Sequence, residues 1–159
     1  MDQHCAVIYF SQSHHTETVA KHIQALAGGQ LVRIQAIQPY HNDYRALVER
    51  VKQEIADGVF PPVEQPDCDF NGCDIFYVGS PNWCGQIAPP LAGFLKSLDL
   101  AGKTVAPFVT HGGGGSGKAA EEIPTLCPGA TVTELLEVHG DGGESVDEEI
   151  TAWRHRNQL

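Results

Sequence analysis

Basic residues are scarce in this chain: 10 Lys and Arg stand against 20 Asp and Glu, a formal net charge of −10 with histidines neutral. That balance excludes a nucleic-acid binder, whose ligand demands a basic surface. No apolar run approaches the roughly 18 residues of a membrane span, so no membrane partner is expected. The start, Met1-Asp2-Gln3-His4, lacks the basic segment and small-residue cleavage site of a secretory signal, and the expectation is a cytoplasmic protein. Cysteine is sparse and irregular. The five (Cys5, Cys68, Cys73, Cys84, Cys127) show no C-x-x-C spacing, which removes support for a zinc site or a disulfide framework and leaves buried, reduced thiols as the plain reading. Repeats and low-complexity linkers are also missing, and 159 residues with 42% hydrophobic content suit one domain, 1–159, with a substantial core.

What is present is a regular alternation of apolar runs and helical periods. Cys5 to Phe10 is continuously apolar, as in a strand covered on both faces. Val19, Ile23 and Leu26 then share a helical face that Gly28-Gly29 ends. Gln30 to Ala36 reads as a second strand. Asp43 to Asp57 reads as a helix with Tyr44, Leu47, Val48, Val51 and Ile55 on one stripe. A third strand, Asp74 to Gly79, precedes a helix opened by Pro89-Pro90, which a first turn tolerates. Strand four is Lys103 to Thr110, with Pro107 inside it predicting a bulge or distortion. A helix from about Gly117 to Leu126, a fifth strand from Ala130 to His139 and a last helix from Ser145 complete the chain. Ser145 and Glu148 read as a capping box for that helix. Five strand-then-helix units imply an α/β fold with a parallel sheet and helices on both faces.

Ligands of such sheets sit at the carboxyl ends of the strands, so the loops after strands one, three and four are the candidates. The first is Ser11-Gln12-Ser13-His14-His15-Thr16. Hydroxyls and free amides at a helix start suit a phosphate, although Ser13 or Thr16 could equally be an ordinary helix cap. The second is Ser80-Pro81-Asn82-Trp83-Cys84-Gly85-Gln86. A tryptophan at a loop tip either covers something flat or folds back on the core. The third, Thr110-His111-Gly112-Gly113-Gly114-Gly115-Ser116-Gly117-Lys118, lets a backbone approach a ligand closely. It can be fitted to G-x-G-x-x-G, but that fingerprint belongs after the first strand. It also fits a P-loop, except that Ala119 stands where the magnesium-binding hydroxyl is needed. Both matches reflect glycine richness.

Together these loops resemble the flavodoxin family, through YFSQSHHTETVA, GSPNWCGQIAPPLAGFL and PFVTHGGGGSGKAAEEIPTLCPGA, over nearly the whole chain. The resemblance implies a three-layer α/β/α sandwich with a five-stranded parallel sheet in the order 2-1-3-4-5. It implies a short-chain member, since strand five carries no long insertion, and FMN as cofactor. Mapped onto this sequence, it places the FMN phosphate at Ser11, Ser13, His14, His15 and Thr16. It places one face of the flavin ring at Pro81, Asn82, Trp83, Cys84 and Gly85. It places the ring's pyrimidine side at Thr110, His111, Gly112, Gly113 and Gly117. One departure stands out: the family usually reads Thr-Gly-Asn-Thr where this chain has Ser13-His14-His15-Thr16, so a permissive backbone position is lost. Two imidazoles beside a phosphate could compensate.

The function implied is electron transfer between redox partner proteins, with basic docking surfaces complementing the acidic charge. The alternative is an FMN-dependent NAD(P)H:quinone or related oxidoreductase on the same fold. A phospho-receiver domain needs acidic residues after strand one, where Tyr9-Phe10-Ser11 stands instead. The Cys84–Gly85 peptide is a candidate switch, because glycine permits its carbonyl to turn toward the ring. For Cys84 a packing role competes with thiol chemistry, and for His111 a structural role competes with proton donation.

Overall fold

The protein was analysed as a computed structural model, which describes residues 4–159; Met1 to Gln3, part of the start read above, lie outside the described residues. Strand β1 (Cys5–Tyr9) lies inside a fully parallel sheet, next to its edge strand. It is flanked by β2 (Gln30–Arg33) and β3 (Ile75–Pro81), with β4 (Thr104–His111) beyond β3. The fifth position is shared by β5 (Thr131–Val132) and β6 (Leu136–His139), giving the order 2-1-3-4-5. Helices α1 (His15–Ala27) and α5 (Val146–Arg156) cover one face; α2 (Tyr44–Asp57), α3 (Pro89–Ser97) and α4 (Ala119–Leu126) belong to the other.

The continuous apolar run of β1 serves both layers by alternation. Ala6, Ile8 and Phe10 pack with Val78, Leu91, Leu95 and Ile123, while Cys5, Val7 and Tyr9 pack with Val19, Ile23, Ile150 and Trp153. Trp153 is fully buried and donates its indole N–H to the Glu134 carbonyl at 2.7 Å, so its one polar atom is satisfied. Cys5, Cys73 and Cys127 are buried free thiols, Cys68 is half-buried and Cys84 is exposed.

Pro107 does distort the sheet, but on one side only. It pairs with Val78 in an unbroken register between β3 and β4. Thr104 donates toward β3, to the Asp74 carbonyl, and Val105 accepts from Thr133 on the other side. Alternation therefore aims the ring nitrogen of Pro107, which has no hydrogen to donate, at the fifth position. There the single strand read from Ala130 to His139 breaks, and pairing resumes only at Phe108 with Leu136.

The capping box at Ser145 is not formed. A 3₁₀ turn, Gly143–Ser145, leads into α5 and leaves Ser145 at φ −90°, ψ 2°, outside the extended conformation a cap needs. Its hydroxyl bonds Glu149 instead, at 3.2 Å. No helix among the described residues is long and apolar enough to cross a membrane.

Candidate functional site: a cleft at the sheet's switch point

The chain leaves β1 for β2 on one side and later enters β3 on the other, so the loops after β1 and β3 diverge over the sheet's carboxyl edge. Between them lies a cleft of about 680 Å³, within the general range of small-molecule sites.

Its polar end is the first loop. Among the described residues no group accepts a hydrogen bond from the backbone amides of Gln12, Ser13, His14, His15 or Thr16. Such a row at a helix N-terminus is an anion site in waiting. Ser13 and His15 line the cleft. The other three predicted residues hold the loop's shape. Ser11 is buried, and its hydroxyl accepts from the Glu17 amide at 3.3 Å. Thr16 is buried and shares a 2.6 Å hydrogen bond with Thr110, tying the loop to the end of β4. His14 adopts φ 72°, the left-handed conformation a glycine would take freely, and its imidazole lies 3.0 Å from Glu17 rather than in the cleft. The Glu17 carboxyl is held below the usual glutamate range, first by the His14 hydrogen bond, with Tyr9, Lys21 and Arg33 adding to it against partial burial.

The second loop is a hairpin turn. Trp83 and Gln86 exchange backbone hydrogen bonds of 2.8 and 3.0 Å, with Cys84 at φ 55° and Gly85 at φ 83° between them. Two successive left-handed residues match a type I′ turn. Trp83 folds back on the core while lining the cleft: it is 8% exposed, with ring centroids 5.0 Å from Phe10 and 4.8 Å from Tyr40. Asn82 is the brace of the site. Its Oδ1 accepts from the Gly85 amide at 2.9 Å, and its Nδ2 donates to the Gly115 carbonyl at 2.7 Å.

The third loop is therefore docked on the second. The Lys118 amide donates to the Gly85 carbonyl at 2.7 Å, and a Cβ on Gly117 (φ 57°) would sit 2.3 Å from that same oxygen. Gly117 thus sets loop-to-loop packing, while Thr110, His111 and Gly112 line the cleft with Pro81, Asn82 and Cys84. His111 Nδ1 accepts from the Gly113 amide at 3.0 Å, and its Nε2 lies 3.8 Å from Glu137. Glu137 also accepts from the Ser116 amide at 3.0 Å, pinning the glycine run.

Two sets of residues escaped the sequence reading. Tyr44, Leu47 and Val48 of α2, read from the sequence only as part of one helical stripe, line the cleft; of that helix only Val51 is fully buried. The stripe spacing is the same for either environment, so periodicity carried no signal. Glu137 was hidden by its distance along the chain from the loop it pins.

A family model for flavodoxins matches residues 4–156. No curated protein matches the sequence. Among solved structures, a Bacteroides eggerthii protein classed as a flavoprotein superposes with a TM-score of 0.81 at 26% identity, covering 98% of each chain. A counterpart from Bacteroides uniformis gives 0.81 at 28% identity, covering 92% of this chain and 97% of that one. A Lactobacillus acidophilus flavoprotein, solved in complex with FMN, shares the fold with a TM-score of 0.75 at 21% identity, covering 96% and 99%.

Proposed function

The chain belongs to the flavodoxin family, and from that premise we propose that it binds FMN in the cleft and carries electrons between protein partners. The observation that carries the reading is the row of unpartnered amides from Gln12 to Thr16, opening onto a cleft with apolar walls. A phosphate ester needs the first and a planar ring needs the second. The FMN complex of the Lactobacillus acidophilus protein supports the same ligand class.

Bound there, FMN supplies one- and two-electron redox chemistry. The chain's own residues do the rest. The amides of residues 12–16, the Ser13 hydroxyl and the His15 imidazole would hold the phosphate. Asn82, Trp83, Cys84 and Gly85 would hold one side of the ring, and Thr110, His111, Gly112 and Gly113 would hold its polar side. Trp83, Leu47 and Val48 exclude water, which disfavours added negative charge at the ring. The net charge of −10 acts in the same direction and selects partners with basic docking surfaces. The Cys84–Gly85 peptide can act as a switch only by releasing its N–H from Asn82, a step that sacrifices a hydrogen bond worth about 1 kcal/mol.

Stopped-flow mixing of the FMN-loaded protein with NADPH separates carrier from reductase. A carrier stays oxidised until a partner reductase is added. Rapid direct reduction contradicts the carrier reading and favours an NAD(P)H-dependent oxidoreductase.

A further inference from the structure

Helix α2 presents a face that its own fold packs only in part, with Leu47 against the core and Tyr44 standing clear of it. Tyr44, Leu47 and Val48 stand at i, i+3 and i+4, one side of the helix, and all three line the cleft. Tyr44 is 80% exposed, well above Ile37, Val59 and Phe60. A tyrosine ring is a large, flat apolar surface, and at the wall of an apolar cleft it is placed to stack on a flat partner.

Besides Trp83, the other walls carry no phenyl, phenol or indole ring among the described residues. Trp83 is committed edge-on to Phe10 and Tyr40. The run from Gly112 to Gly117 contains only glycine and serine. Tyr44 is also held in place. Asp43 caps α2 by accepting from the Ala46 amide at 3.1 Å, and Arg50 donates to the Gln38 and Pro39 carbonyls at 2.9 and 3.1 Å. Gln12, from the first loop, donates to Asn42 at 3.2 Å and to the Tyr40 carbonyl at 3.3 Å. The segment that delivers Tyr44 is thereby fastened both to α2 and to the loop with the free amides, so the backbone that carries the ring is fixed at the cleft wall.

We propose that Tyr44 is a ring-stacking residue, covering with Leu47 and Val48 a face of the bound flavin that the glycine-rich loop cannot cover. The inference rests on the FMN reading above and assigns the stacking aromatic to α2 rather than to the loops after β3 and β4.

The test is a titration of apo-protein with FMN, followed by flavin fluorescence, for the wild type and Tyr44→Ala, Tyr44→Leu and Tyr44→Phe. Far-UV circular dichroism reports folding of each. Wild type and Tyr44→Phe should bind alike and quench the flavin strongly. Tyr44→Leu, which keeps apolar bulk on the helix, should stay folded yet bind about tenfold more weakly, with a brighter bound flavin. Tyr44→Ala should behave similarly if folded; if it unfolds, Tyr44→Leu against Tyr44→Phe decides. No FMN binding by folded wild type overturns the cofactor reading itself. Wild-type binding with unchanged affinity and quenching in Tyr44→Leu overturns the stacking role and leaves the cofactor reading intact. Loss in Tyr44→Leu that Tyr44→Phe does not rescue also overturns it, since ring stacking does not need the hydroxyl.

Discussion

His14 carries the strain of the first loop. A non-glycine residue at φ 72° costs roughly 1–2 kcal/mol, and the exposed His14–Glu17 pair returns little of that. His14→Gly is therefore expected to raise stability by about 0.5–1 kcal/mol in urea melts and to leave FMN affinity intact, because the imidazole faces Glu17 and not the cleft. His15→Ala should weaken FMN binding, since its imidazole lines the cleft beside the unpartnered amides. Equal effects of the two substitutions on affinity would show that the loop is read wrongly. Gly117 is the other sensitive position. Gly117→Ala forces a Cβ to 2.3 Å from the Gly85 carbonyl at a left-handed φ, so a loss of about 2 kcal/mol or more and weakened FMN binding are expected in thermal and titration measurements.

Helix α4 reaches the second loop through one carboxylate. Glu122 Oε1 accepts from the Ile87 amide at 2.9 Å, and burial raises the carboxyl above the usual glutamate range, with that hydrogen bond opposing the rise. A raised acid is protonated more readily in the folded state, so its ionisation costs stability as pH rises through the ordinary glutamate range toward the raised value. Glu122→Gln keeps an acceptor for Ile87 and removes that cost. The variant should match the wild type in acid and exceed it in thermal stability at neutral pH; a gap that opens only in acid would contradict the assignment. Elements also show where sequence patterns reach their limit. The continuous apolar run of β1 and the paired prolines of α3 mark their elements directly. The break between β5 and β6 does not read from their own residues, because its cause is Pro107 on the neighbouring strand. The missing cap at Ser145 depends on a preceding turn that a four-residue pattern does not encode.

For the molecule as a whole, the alternation of strands and helices makes the layers and the switch point legible, and with them the three loops. Chemistry within the loops is legible wherever residue type and neighbours coincide, as for the amides of residues 12–16. It is not legible where a residue from elsewhere decides, as with Tyr44 from α2, Glu137 pinning the glycine run, or Phe10 and Tyr40 taking up Trp83. The acidic surface is a property of the same scale. With a net charge of −10, electron transfer to a basic partner should slow steeply as salt rises from about 0.05 to 0.5 M, as screening shortens the reach of the field. A rate that is flat or rising with salt would point to an apolar docking face. The central claim, that a phosphate held by the first loop anchors a flavin in the cleft, is tested most directly by titrating the apo-protein with FMN and with riboflavin. FMN is expected to bind one to one and at least about a hundredfold more tightly than riboflavin, as several charge-assisted hydrogen bonds to amides require. Equal affinities for the two flavins would contradict it.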